Sequence, residues 1–189
     1  ISIATPISVR IKLFKSIFSF NSIPKVIICE KPLCTRRKDR DLILDLCEKN
    51  NVHLLVHYNR RYQDLYKYLK DSIDKRILGK VYSVTIKTPN RFWSIGSHAL
   101  DLLFYLLNSA PNSWESYELN NFEERGEKAF DFIGIFNSGI IGRISTQGMS
   151  NILIFEVEIV CESGRIIAYN NGSKLIIQKF KSSDEYLNY

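Results

Sequence analysis

The chain has 189 residues, 45% of them hydrophobic and 24% charged, with a formal net charge of +6. That is enough apolar material for one or two small domains with real cores, and the charge balance argues against general disorder. No apolar run reaches the ~18 residues of a membrane span, and Arg10, Lys12 and Lys15 interrupt the opening segment, which does not read as a signal peptide. Much of the positive excess lies in Arg36-Arg37-Lys38-Asp39-Arg40. This run opens an amphipathic helix, so it reads as a solvated helix face rather than a nucleic-acid footprint. Four cysteines, Cys29, Cys34, Cys47 and Cys161, form no C-x-x-C pair and share the chain with three histidines. A zinc site is not expected, and a reducing cytoplasm fits best.

Ile1 to Ala4 reads as the end of a buried strand, closed by Thr5-Pro6. A helix follows, with Val9, Leu13, Ile17 and Phe20 at helical spacing. Val26 to Cys29 is a short apolar, β-branched run, hence a second buried strand. Glu30-Lys31-Pro32 follows it directly. Thr35 is the expected N-cap of the next helix, whose apolar face carries Leu42, Ile43, Leu46 and Cys47 and which ends near Asn50-Asn51. Cys29 and Cys47 read as small core residues. "VHLLVH", Val52 to His57, is a third strand, with His53 and His57 on one face by the period of two. Both histidines read as packing or partner residues before ligands. A helix from about Arg61 to Ile73 turns Leu65, Tyr66 and Leu69 inward. Arg60 and Arg61 at its start oppose the helix dipole, which favours a functional reason for at least one of them.

Alternating strand and helix implies a parallel sheet with crossover helices, whose ligands bind beyond the carboxyl ends of the strands. Thr5-Pro6, Glu30-Lys31-Pro32 and Tyr58-Asn59-Arg60 each stand just past a strand end. The character changes near Leu78-Gly79-Lys80. "VYSVTIKT" alternates like a half-exposed strand, and "SHALDLLFYLLN" is a helix with Leu102, Leu103, Leu106 and Leu107 on its apolar side. Asn137-Ser138-Gly139, Glu162-Ser163-Gly164 and Asn170-Asn171-Gly172 punctuate β-rich runs as hairpin turns. The second part is therefore expected to be an antiparallel sheet with one or two helices packed on it.

The segments "ISIATP", "VIICEKPL", "VHYNRRY" and "GSHALDLLFYLL", in that order, resemble the glucose–fructose oxidoreductase, inositol dehydrogenase and MocA (Gfo/Idh/MocA) family of NAD(P)-dependent sugar and polyol oxidoreductases. The resemblance covers about residues 1 to 170. It implies the C-terminal half of a Rossmann-type parallel sheet, residues 1–77. A dihydrodipicolinate-reductase-like α/β domain with an open, mainly antiparallel sheet follows over residues 78–189. It further implies NAD or NADP as cofactor, a sugar, sugar-nucleotide or polyol substrate, and homo-oligomers formed through the C-terminal sheet. Carried over residue by residue, Lys31 lies near nicotinamide and substrate, where a lysine favours loss of a hydroxyl proton during hydride transfer. Proline after this lysine is often cis in the family. Thr5, Pro6, Glu30, Pro32, Asn59 and Arg60 touch the cofactor or frame the pocket, Trp93 and Ser94 border the substrate, and His98 matches the histidine that reaches the reacting hydroxyl. For His98 the alternative to substrate contact is a helix cap or a core hydrogen bond, and Trp93 reads equally as core or pocket wall.

Three departures accompany the resemblance. The family usually places an aspartate four residues before the histidine, where this chain has Ser94. It commonly has a histidine three or four residues after Thr-Pro, where this chain has Val9 and Arg10. No G-x-G-x-x-G occurs, although that loop and its helix N-terminus hold the pyrophosphate in the fold. The chain opens at what the resemblance makes the fourth Rossmann strand. The expectation is an incomplete chain or a remnant, with either a dehydrogenase activity or a non-catalytic binding or assembly role.

Overall fold

A computed structural model describes residues 1–124, 126–148 and 153–181. The chain divides into two compact units, Ile1–Asn59 and Arg60–Tyr189. The first unit is built from β1 (Ser2–Ile3), α1 (Ile7–Ile17), β2 (Val26–Glu30), α2 (Arg37–Lys49) and β3 (His53–His57). Its three strands pair in parallel in the order β1-β2-β3, with Ile3 opposite Cys29 and Glu30 opposite His57. The strands thus end at one common edge. Ile3, Phe14, Ile27, Cys29, Ile43 and Cys47 form the core.

Two local expectations are corrected here. Helix α1 buries Arg10, Phe14 and Ile17, while Val9 and Phe20 are 44% and 63% exposed. The helix is apolar around most of its girth, so its period fits two faces, and the buried one carries a charge. Helix α2 begins at Arg37 with Arg36 as its cap, without a side-chain cap bond, rather than at Thr35. Exposed ion pairs Arg36–Asp39, Arg37–Asp41 and Arg40–Asp41 gather there, which makes the basic run a solvated helix face. The helix ends at Asn50, whose amide donates to the Leu46 carbonyl at 2.8 Å, and at left-handed Asn51.

The second unit holds α3 (Asp64–Asp74), β4 (Val81–Thr88), α4 (Ser97–Leu107) and β5 (Ser113–Glu124). β6 (Glu127–Ile135), β7 (Ile141–Thr146), β8 (Glu156–Cys161), β9 (Gly164–Tyr169) and β10 (Lys174–Lys179) complete it. Its seven-stranded sheet runs β10-β9-β8-β4-β7-β6-β5 and is antiparallel except for the β4–β7 pair. The three expected hairpin turns connect β6–β7, β8–β9 and β9–β10. α4 covers the sheet with Leu102, Leu103 and Leu106, all fully buried against Val84, Ile86, Ile144 and Phe155. Each such leucine contributes about 1.5–3 kcal/mol relative to exposure. Tyr66 and Leu69 of α3 enter the same core. That packing puts α3 with the sheet, upstream of residue 77, where helix gives way to strand. Among the described residues no helix is long and apolar enough to cross a membrane.

Candidate functional site

In the first unit, Thr5-Pro6, Glu30-Lys31-Pro32 and Asn59 occupy the carboxyl edge of the parallel sheet, as strand polarity requires. The Lys31–Pro32 peptide is cis, with Pro32 buried and Lys31 half-buried. Glu30 is drawn sideways by His57 on the neighbouring strand, with Nδ1 to Oε1 at 2.8 Å. This hydrogen bond, then the charges of His57, Lys31 and Arg10, holds the Glu30 carboxyl below its usual range against a smaller opposing cost of burial. Thr5 Oγ1 is buried and has no hydrogen-bond partner among the described residues. Cys29, one residue before Glu30, has its thiol pushed up chiefly by burial, so it behaves as core and not as a nucleophile. His53 is exposed.

In the second unit, Phe92–Gly96 winds as one π-helical turn that runs directly into α4, entered through Arg91 at φ 64°. Trp93 and Ser94 lie on this turn, and His98 is the second residue of α4, half-buried. Ser94 donates its backbone N–H to Glu127 Oε2 at 2.8 Å and its hydroxyl to Glu127 Oε1. A carboxylate therefore does stand at this helix start, delivered by β6 instead of by position 94. Glu127 is a residue that motif reading missed. No local signal marks it, because the contact joins positions 33 residues apart. A negative group here also matches the positive end of the helix.

Downstream on α4, Asp101 accepts both Arg61 Nε at 2.7 Å and Nη2 at 2.5 Å. Arg60 is held differently. Its guanidinium carbon lies 3.5 Å from the Phe155 ring centroid. Its nitrogens donate to Tyr66 Oη at 3.1 Å and Asn171 Oδ1 at 3.0 Å. Both arginines thus have packing partners inside the second unit, and both lie on a short 3-10 turn, Asn59–Tyr62, ahead of α3.

Beside the π-turn is a pocket of about 520 Å³ walled by Phe92, Trp93, Phe104, Trp114, Phe130 and Phe132. Trp93 is a pocket wall and not core. The structure thus gathers Thr5, Glu30, Lys31 and Pro32 at one sheet edge, and Trp93, Ser94 and His98 at one helix start.

Solved structures share this fold. The WlbA dehydrogenase from Bordetella pertussis, in complex with NADH and UDP-GlcNAcA, matches with TM-score 0.81 and 18% identity over 97% of this chain. An inositol dehydrogenase homolog from Azotobacter vinelandii, complexed with NADH and myo-inositol, matches with TM-score 0.80 and 15% identity over 96%. An oxidoreductase from Pseudomonas syringae matches with TM-score 0.80 and 18% identity. The chain spans 63%, 54% and 54% of the lengths of those three proteins. No protein-family model and no curated protein matches it. Over the part that it spans, the chain has the fold of these dehydrogenases, as its motif order implied.

Proposed function

We propose that the chain is the part of a Gfo/Idh/MocA-type NAD(P)-dependent oxidoreductase that carries the proton-handling residues for a sugar, sugar-nucleotide or polyol substrate. The observation that supports this most is Lys31, just past a strand end at the carboxyl edge of a parallel sheet, in a chain with this fold. Bound NAD(P) would accept or donate the hydride. Thr5, Pro6, Glu30, Pro32 and Asn59 would frame its nicotinamide end, and the unpartnered Thr5 hydroxyl fits a polar ligand there. Arg60 is a weaker candidate, since its guanidinium is already engaged. Lys31 and His98 would hold and move the hydroxyl proton, with Trp93 and Ser94 bordering the substrate. Subunits would associate through the open sheet, in a reducing cytoplasm.

A protein that includes the glycine-rich half of the fold tests this reading. Lys31→Ala there should lower kcat by about 10²-fold or more, the usual share of a general acid–base group, with the fold intact. An unchanged rate rejects the role of Lys31. A non-catalytic reading, as a binding or assembly module or a remnant, also stands, motivated by Ser94 where the family usually has an aspartate. The DNA upstream of the Ile1 codon separates the two. An in-frame glycine-rich strand-turn-helix favours the enzyme, and a stop codon or frameshift favours the remnant.

A further inference from the structure

The buried charge on α1 is used by neither unit's core nor any ion pair given above. Arg10 is only 4% exposed. A buried arginine ordinarily faces a carboxylate, because an unpaired buried charge is costly. Among the described residues the acceptors of Arg10 are instead three backbone carbonyls. Nε donates to Thr5 O at 2.9 Å, and Nη1 donates to Glu30 O at 2.6 Å and to Pro32 O. Thr5 follows β1, Glu30 closes β2, and Pro32 lies beyond the cis peptide. Two of the three carbonyls therefore flank Lys31 in sequence, and the third belongs to the adjacent strand end.

The geometry points to Arg10 as the positioning residue for Lys31, acting through the backbone and not through the ammonium. Its guanidinium is planar and its donors have fixed directions. Bonding three carbonyls with one such group fixes the peptides on both sides of the Lys31–Pro32 pair relative to the end of β1. The Lys31 Cα–Cβ direction is then set by α1 through the backbone. A lysine at position 10 keeps the charge but has one donor head, which cannot serve three separated acceptors in fixed directions. An apolar residue would fill the space and leave three carbonyls without their donor. What this positioning serves catalytically rests on the dehydrogenase reading; the positioning itself does not.

The test reads the Lys31 amine directly, on the 189-residue chain, without any turnover assay. Lysines are labelled with limiting acetic anhydride across pH and quantified by peptide mass spectrometry, with Lys12 and Lys15 on α1 and Lys49 on α2 as internal references. Arg10→Lys should change the labelling of Lys31 by about threefold or more, with the reference lysines unchanged. Arg10→Ala should show a larger change that tens of millimolar methylguanidinium partly reverses, as restored donors to the carbonyls require. Lys31 labelling equal to wild type in folded Arg10→Lys and Arg10→Ala overturns the proposal. So does loss of hydrogen-exchange protection across β2 in both variants without methylguanidinium rescue, because Arg10 is then a general structural residue. Failure of the dehydrogenase reading would appear instead as unchanged turnover in Lys31→Ala.

Discussion

The two units hold their candidate residues by opposite means. At the sheet edge of the first, one buried cation grips backbone carbonyls around Lys31. At the helix start of the second, carboxylates do the holding: Glu127 grips the turn before His98, and Asp101 ties the helix to Arg61. A strand end exposes carbonyls, which call for donors. A helix start exposes N–H groups, which call for acceptors. The sign of each local partner follows from the backbone that it serves. The depth differs too, since Arg10 is sealed in while the acidic partners are part-exposed, so substitutions should grade accordingly.

The deepest support in the second unit is α4 itself. Leu103→Ala should cost about 2–5 kcal/mol, read by denaturant titration, with hydrogen exchange lost in β4, β7 and α4 and kept in β1–β3. Equal loss in both units would show that their stabilities are not separate. Next is Asp101, 10% exposed at the side chain. Asp101→Ala leaves the Arg61 guanidinium without that carboxylate and should cost about 1–3 kcal/mol, whereas Asp101→Glu should recover part of it. Glu127→Gln keeps the shape and removes the charge at the helix end. It should cost about 1 kcal/mol and move the NMR resonances of His98 more than those of His53 or His57. Equal shifts at all three histidines would refute the link to α4. The smallest effect belongs to the exposed Glu30–His57 pair. Glu30 is lowered in the folded state, so its stabilisation is present above its ordinary value of 4.5 and is lost as pH falls through the lower folded value. Glu30→Gln should lose a few tenths of a kcal/mol at pH 5.5 and above and flatten that acid limb, so that the melting temperatures of the two proteins converge as pH falls from 5.5 to 3.

What was readable in the sequence follows from locality. Apolar β-branched runs gave the strands, and alternation with helices gave the parallel sheet. The Asn170-Asn171-Gly172 turn was legible because all three residues take positive φ there, a conformation that asparagine and glycine tolerate. Gly172 is required for a second reason, since an added Cβ would stand 2.8 Å from Tyr66 Oη. As candidates, Lys31 and His98 were legible only through motif order. Arg10 was not, because a charge at a buried helix position contradicts the hydrophobic pattern used to find that face. Glu127 was not, because Ser94 looked like the loss of a carboxylate and nothing local announces one arriving from another strand. The π-turn at Phe92–Gly96 has no period that distinguishes it from the helix that it joins.

The central proposal, which rests on the family resemblance, is that Lys31 and His98 act on one hydroxyl proton. A double-mutant cycle on kcat/KM with Lys31→Ala and His98→Ala, in protein carrying the glycine-rich half, addresses it most directly. If the two residues serve one proton transfer, the double variant should lose little more than the worse single variant. Losses that multiply would mean that they act independently, and would contradict the claim.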